Sequence, residues 1–319
     1  MNSGVVHIKR QRGVILLAFF AVLFLAGVGV LISVLDGNAI AQRRSSNTSM
    51  AMREAKEALI AYAALYAEYY STILPAPGPG YLPCPDSNND GNEGPACPAL
   101  GRLPQSIVLP NGNIFSLSDY NADIDEQFWY SVSATFNRSA LGELNSSTIS
   151  ATTLDGQTRI AAVIIAPGAA NAGQSRPSNN SNRYLEDSNT AAPDFVSSTA
   201  VNPDLFNDRV LAITIDEIMG PVTRHVANLI KAELDAYHLV NAAYPAGITQ
   251  AIPADITEAI IAPVETWFDD NRWFENTNYV RVTNNEATLT FTGCPNISYT
   301  VLYDPPNTPD DLRRTGLRC

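Results

Sequence analysis

The alternation of apolar and polar positions along the chain predicts its elements one after another. From Val14 to Leu35 no residue is charged and nearly all are apolar. At a helical rise of about 1.5 Å per residue this stretch reaches about 33 Å, so it predicts a membrane-spanning helix. Residues 50–70 are rich in alanine, with apolar residues at 55, 58, 59, 62, 65, 66 and 69. That spacing of three and four predicts an amphipathic helix with one buried stripe. Pro75, Pro77, Gly78, Pro79 and Gly80 stop it. If residues 36–48 are helical as well, Val14 to Ser71 form one rod of about 87 Å, with Gly37, Ser45, Ser46 and Asn47 as weak points.

Further along, Thr158 to Ala166 is a continuous run rich in alanine and isoleucine that ends at Pro167-Gly168, as a strand buried on both faces requires. Residues 169–207 are dominated by Ser, Asn, Ala, Pro and Asp with little periodicity, which predicts a long, exposed and mobile excursion. Val210 to Thr214 reads as a strand. Thr214 and Glu217 then form a Thr-x-x-Glu capping signal for a second helix running to about Ala243. Trp267-Phe268 and Trp273-Phe274 precede strand-like Tyr279 to Val282 and Ala287 to Phe291.

Charge gives the first stretch a direction. Lys9, Arg10 and Arg12 precede it and no acidic residue lies among the first 13, so the positive-inside rule keeps the N-terminus cytoplasmic and the remainder outside. The chain carries 20 Lys+Arg against 32 Asp+Glu, a net charge of −12. That balance excludes a basic nucleic-acid-binding protein. Three processing routes are open: an uncleaved anchor, a secretory signal with Ala39-Ile40-Ala41 as its cleavage site, or a cut upstream of the apolar stretch that leaves it attached. The third fits the run Arg10-Gln11-Arg12-Gly13 set directly against Val14-Ile15-Leu16-Leu17.

That junction resembles the leader of type IV pilins and type II secretion pseudopilins. The resemblance implies cleavage after Gly13 by the inner-membrane prepilin peptidase and methylation of the new terminus, Val14. It also implies an α+β fold: a long N-terminal transmembrane-plus-amphipathic helix packed on an antiparallel sheet head. Family members usually carry a glutamate at the fifth mature position, where this chain has Ala18. An unpaired carboxylate in hydrocarbon is costly, so a subunit without one suits an initiating or capping place at a filament tip. Leu82-Pro83-Cys84-Pro85 after the helix, and the aspartate-containing segment Asp125 to Ser133, extend the similarity to about residue 135.

On this reading residues 1–13 are the leader, 14–35 the transmembrane half of the helix and 36–71 its periplasmic half. Residues 72–207 are a first pilin-like head, and 208–319 a second α+β domain. Lys231, Leu234, Ala236, Tyr237 and Tyr244 recur at the offsets of Lys56, Leu59, Ala61, Tyr62 and Tyr69, as a duplicated head would require. The expected partners are other pilin-like subunits, the prepilin peptidase and the inner membrane. The expected function is that of a minor structural subunit, with a membrane-anchored periplasmic binding module that does not polymerise as the alternative.

Candidate chemistry is sparse. Four cysteines in an external chain argue for two disulfides, most simply Cys84–Cys97 and Cys294–Cys319, although three pairings exist. Between the first two, Asp86, Asn88 and Asp90 precede Gly91 in the Asp-x-Asn-x-Asp-Gly register of a calcium loop. The usual closing glutamate position is Cys97, so Glu93, a carbonyl or another segment must complete the set. A plain solvated turn is the competing reading. His225 and His238 are 13 apart on the second helix, about 140° off a common face, and Asp216, Glu217 and His225 read as a solvated face rather than an acid–base set. No nucleophile elbow, Walker loop, dinucleotide fingerprint or zinc-protease motif occurs.

Overall fold

A computed structural model describes residues 42–73, 77–94, 96–117, 127–139, 142–197, 205–246, 266–303, 312–317 and 319. The chain divides into two compact units, residues 1–50 and 51–319. In the first, residues 42–50 are helical, with the Thr48 and Ser49 hydroxyls donating to the carbonyls of Arg44 and Ser45 one turn back. The second unit holds everything that follows.

Helix α1 (51–64) and the short α2 (Tyr66–Tyr69) bury the expected stripe. Ala55, Leu59 and Tyr62 are fully enclosed, and Met52, Tyr66 and Tyr70 nearly so. The chain then forms β1 (Gly101–Arg102), a hairpin of β2 (Ser106–Val108) and β3 (Ile114–Ser116), β4 (Trp129–Val132), β5 (Thr153–Leu154), β6 (Ile160–Ala166), β7 (Asp194–Phe195) and β8 (Arg209–Thr214). Strands β1, β4, β6 and β8 make one antiparallel sheet in that order. Thr214 caps α3 (Ile215–Asn241) through the reciprocal box with Glu217 that the sequence predicts. After α4 (Thr266–Asp270) and α5 (Trp273–Asn276), strands β9 (Thr277–Thr283), β10 (Glu286–Phe291), β11 (Cys294–Leu302) and β12 (Leu312–Thr315) form a second antiparallel meander.

Strand β6 organises the interior. All seven of its residues are buried, and they serve two cores. Ala161, Ala162, Ile164 and Ala166 join the main core with α1, α3 and the second sheet. Ile160, Val163 and Ile165 face a smaller core with Trp129, Tyr184, Leu185 and Phe195. This second cover comes from the segment expected to be mobile. Residues 168–197 are polar in composition, yet Tyr184, Leu185 and Phe195 anchor them on the sheet. The Arg102 guanidinium sits in the notch formed by the tilted rings of Trp129 and Tyr184, 4.2 and 4.0 Å from their centres. It also donates to the carbonyls of Gln127 and Ser178. Planar cations favour such aromatic faces, here shielded from water.

Lys56 clamps α1 to the junction of β8 and α3. Its Nζ donates to the Ala212 carbonyl at 2.8 Å and pairs with Glu217 at 2.6 Å. On the far side, Gly293 between β10 and β11 has φ +84°, and a Cβ there would fall 2.1 Å from the Ser146 carbonyl oxygen. That contact admits only glycine where segment 144–147 crosses the second sheet.

Two expectations are corrected. Among the described residues no helix is long and apolar enough to cross a membrane. Residues 42–64 carry Arg43, Arg44, Arg53, Glu54, Lys56 and Glu57, and α3 carries Asp216, Glu217, Arg224, Lys231, Glu233 and Asp235, charges that a bilayer core would exclude. The single-pass placement in an inner membrane, and the transmembrane-plus-amphipathic helix as an element of the fold, are therefore not carried further. Val14 to Leu35 itself lies outside the described residues, as do Gly13 and Val14. The separate second pilin-like domain over 208–319 is also replaced: the fold is mixed α+β, with a sheet-rich C-terminal part that shares one core with α1.

Tyr184→Ala removes the lid of the smaller core and one of the two rings against Arg102. Urea unfolding is expected to show a loss of about 3–5 kcal/mol. Tyr184→Phe, which keeps the ring and loses the hydrogen bond from the Ser178 N–H, should cost about 1 kcal/mol.

Candidate functional site

Two disulfides close the loops that the cysteine spacing suggests, Cys84–Cys97 and Cys294–Cys319. Constraint of the unfolded chain makes each worth about 3 kcal/mol. The first encloses the acidic loop, whose geometry is set by its own side chains. One Asp86 oxygen accepts the N–H groups of Asn88 and Asn89 at 3.1 and 2.7 Å, and the other accepts that of Gly91 at 2.8 Å. Asp90 accepts the Asn92 N–H at 2.8 Å and the Asn88 amide at 2.9 Å. These bonds hold the exposed Asp90 carboxyl below its ordinary range. Asn89 and Gly91 take positive φ, 63° and 85°, as the tight turn demands.

Glu93 leaves this cluster. Its side chain is 4% exposed and turns inward, where one oxygen meets Arg138 Nε at 2.6 Å and accepts the Cys84 N–H at 2.6 Å. Burial pushes the Glu93 carboxyl up, and Arg138 and the Cys84 N–H offset this only in part. The four residues of the expected calcium set, Asp86, Asn88, Asp90 and Glu93, therefore do not converge. Asp86 is filled by backbone donors, and Glu93 belongs to an internal ion pair. Among the described residues no group of three or more His, Cys, Asp or Glu is placed to hold a metal ion.

Above that pair lies an aromatic cluster from α1, α2 and the following loop. Tyr66 stacks on Tyr70 with ring centres 4.3 Å apart, and Tyr62 meets Tyr66 edge-on at 5.6 Å. The Tyr62 and Tyr70 hydroxyls share a hydrogen bond of 3.0 Å. Burial raises the Tyr62 and Tyr66 phenols far above their ordinary value and pushes Tyr81 up to about 12. All three stay neutral at any physiological pH, so the cluster packs and orients rather than titrates.

The other candidates are dispersed. Asp216 pairs with Arg159, and Glu217 is committed to Lys56 and the helix cap. His225 Nδ1 lies 3.7 Å from Glu68. His238 is buried, stacks on Tyr303 with centres 3.6 Å apart and bonds Asn285 at 2.8 Å. Trp267 and Trp273 are core residues. Of the aspartate-containing segment, Asp125 and Glu126 lie outside the described residues, while Trp129 and Tyr130 are buried in β4.

An open cleft of about 500 Å³ lies between segment 143–149 and the start of α5. Its walls are polar, but the groups are largely engaged with one another. Arg272 bridges Glu143 and Glu275, Ser147 donates to Asn276, and the Thr135 hydroxyl donates to the Ile149 carbonyl. Arg102, Arg138 and Tyr184 carry the strongest interactions near the acidic loop and the sheet, and nothing local in the sequence marks them. Arg102 and Arg138 reach partners 25 to 82 residues away in the chain.

No family model, no curated protein and no solved structure matches the chain.

The buried pair gives a direct test. Glu93→Gln or Arg138→Met alone strands one charge in the interior and is expected to cost about 3–5 kcal/mol in urea unfolding. The double variant should recover much of that loss, because the desolvation penalty of both ions disappears.

Proposed function

We propose that the chain is a minor pilin-like structural subunit, cut after Gly13 and assembled with other such subunits through the apolar segment that begins at Val14. The observation that carries this reading is the junction Arg10-Gln11-Arg12-Gly13 set against an uninterrupted apolar run. The packing of α1 supports it. A helix whose Met52, Ala55, Leu59 and Tyr62 stripe, continued by Tyr66, is seated in the head, and which Lys56 clamps to β8 and α3, is held firmly at its place in the chain between the N-terminal segment and the strands. The work is mechanical: the apolar segment associates with other subunits, and residues 51–319 carry most of the acidic residues. Ala18 in place of a carboxylate favours an initiating or tip position, where no neighbouring amino terminus needs a partner.

A binding module that does not polymerise is the second reading, favoured by the polar cleft beside Arg272. Sequencing the N-terminus of the protein from its native source separates the two. A terminus at methylated Val14 is the expected result. A terminus at Met1 or Gln42 would overturn the pilin-like reading.

A further inference from the structure

Asp208 lies just before β8, and Glu186 caps the 3-10 turn Asp187–Thr190 within the segment that covers the sheet. Each braces the other's backbone. An Asp208 oxygen accepts the Glu186 N–H at 3.0 Å, and a Glu186 oxygen accepts the N–H groups of Asp208 and Asn207 at 3.2 and 3.3 Å. The remaining donors are neutral amides: Asn189 to Asp208 at 3.1 Å, with Asn171 and Gln174 to the other Glu186 oxygen, each at 3.1 Å. Asp208 is 5% exposed, and its second oxygen is buried without a partner. Among the described residues neither carboxyl has a cation paired to it. Arg176 stops one residue short, on Gln174.

Two adjacent carboxylates with no counter-ion, one of them buried, cannot both ionise cheaply. We propose that Asp208 and Glu186 share one proton, and that this proton latches residues 168–197 over the outer face of the first sheet. The latch fastens the middle of the cover to the start of β8, and the cover in turn buries Trp129, Val163 and Ile165 beneath Tyr184, Leu185 and Phe195.

Burial, with the Glu186 charge beside it, pushes Asp208 up to about 8 from 3.8. An acid raised in this way binds its proton in the folded state at pH values where the unfolded chain has released it. The latch is therefore fully present below about pH 4, weakens steadily as pH rises, and adds nothing more above about pH 8. Release would leave the main core intact and uncover the Trp129 side of the sheet. The pair thus forms a pH-responsive hold on one face of the molecule.

The test compares the full chain with Asp208→Asn, in which an amide takes the place of the protonated acid, under brief thermolysin digestion at matched pH. Relative to the variant, cutting of the wild type within 168–197 should accelerate by up to about tenfold per pH unit between pH 5 and pH 8 and level off above that. Glu186→Gln, which removes the neighbouring charge, should lower the Asp208 midpoint, so that the acceleration levels off at lower pH. Carboxyl-carbon NMR of Asp208 gives a readout independent of the protease and should place its midpoint near 8. No acceleration relative to the variant, cuts spread through the whole chain, or an Asp208 midpoint near 4 would each overturn the proposal.

Discussion

The molecule depends on a strand that has no solvent side. Every residue of β6 is buried, so the sheet needs an apolar partner on each face, and the chain supplies two of very different character. One is conventional, the amphipathic stripe of α1 with α3. The other is a polar segment with few apolar residues, in which Tyr184, Leu185 and Phe195 provide the contact and Arg102 and Arg176 hold the ring of Tyr184 in place. A segment poor in hydrophobic area cannot hold itself down by burial alone, so specific bonds must supply the difference.

The parts of this architecture that the sequence made legible are those governed by short-range pattern. The stripe of α1, the doubly buried run at Ile160 to Ala166, the cap at Thr214 and the two strands around Tyr279 and Leu289 all follow from period and local chemistry. From sequence alone the cover reads as mobile, because Ser, Asn and Pro give no period. Its order rests on contacts such as Arg102 with Tyr184, which are 82 positions apart in the chain. The shared core was illegible for the same reason. Two helix-then-meander successions look like two heads until the residues that join them, among them Ser146 against Thr292 and Leu144 against Asn271, are placed in space.

The acidic loop makes the same point about sites. Its Asp-x-Asn-x-Asp-Gly register is a statement about oxygen atoms in sequence, and such atoms can serve a cation or the backbone equally well. Here they serve the backbone, and the residue expected to complete the set, Glu93, finds its counter-charge inside, on Arg138. Ion pairs of this kind are invisible to motif spacing, because the partner arrives from another part of the fold. The disulfide at Cys84–Cys97 and the Cys84 N–H bond to Glu93 then tie the loop to that interior pair.

Lys56 has one more implication. Its ammonium grips both the edge of β8, through Ala212, and the first turn of α3, through Glu217. Tension drawn along α1 would therefore reach the edge of the first sheet and the first turn of α3 at the same time, through a single side chain.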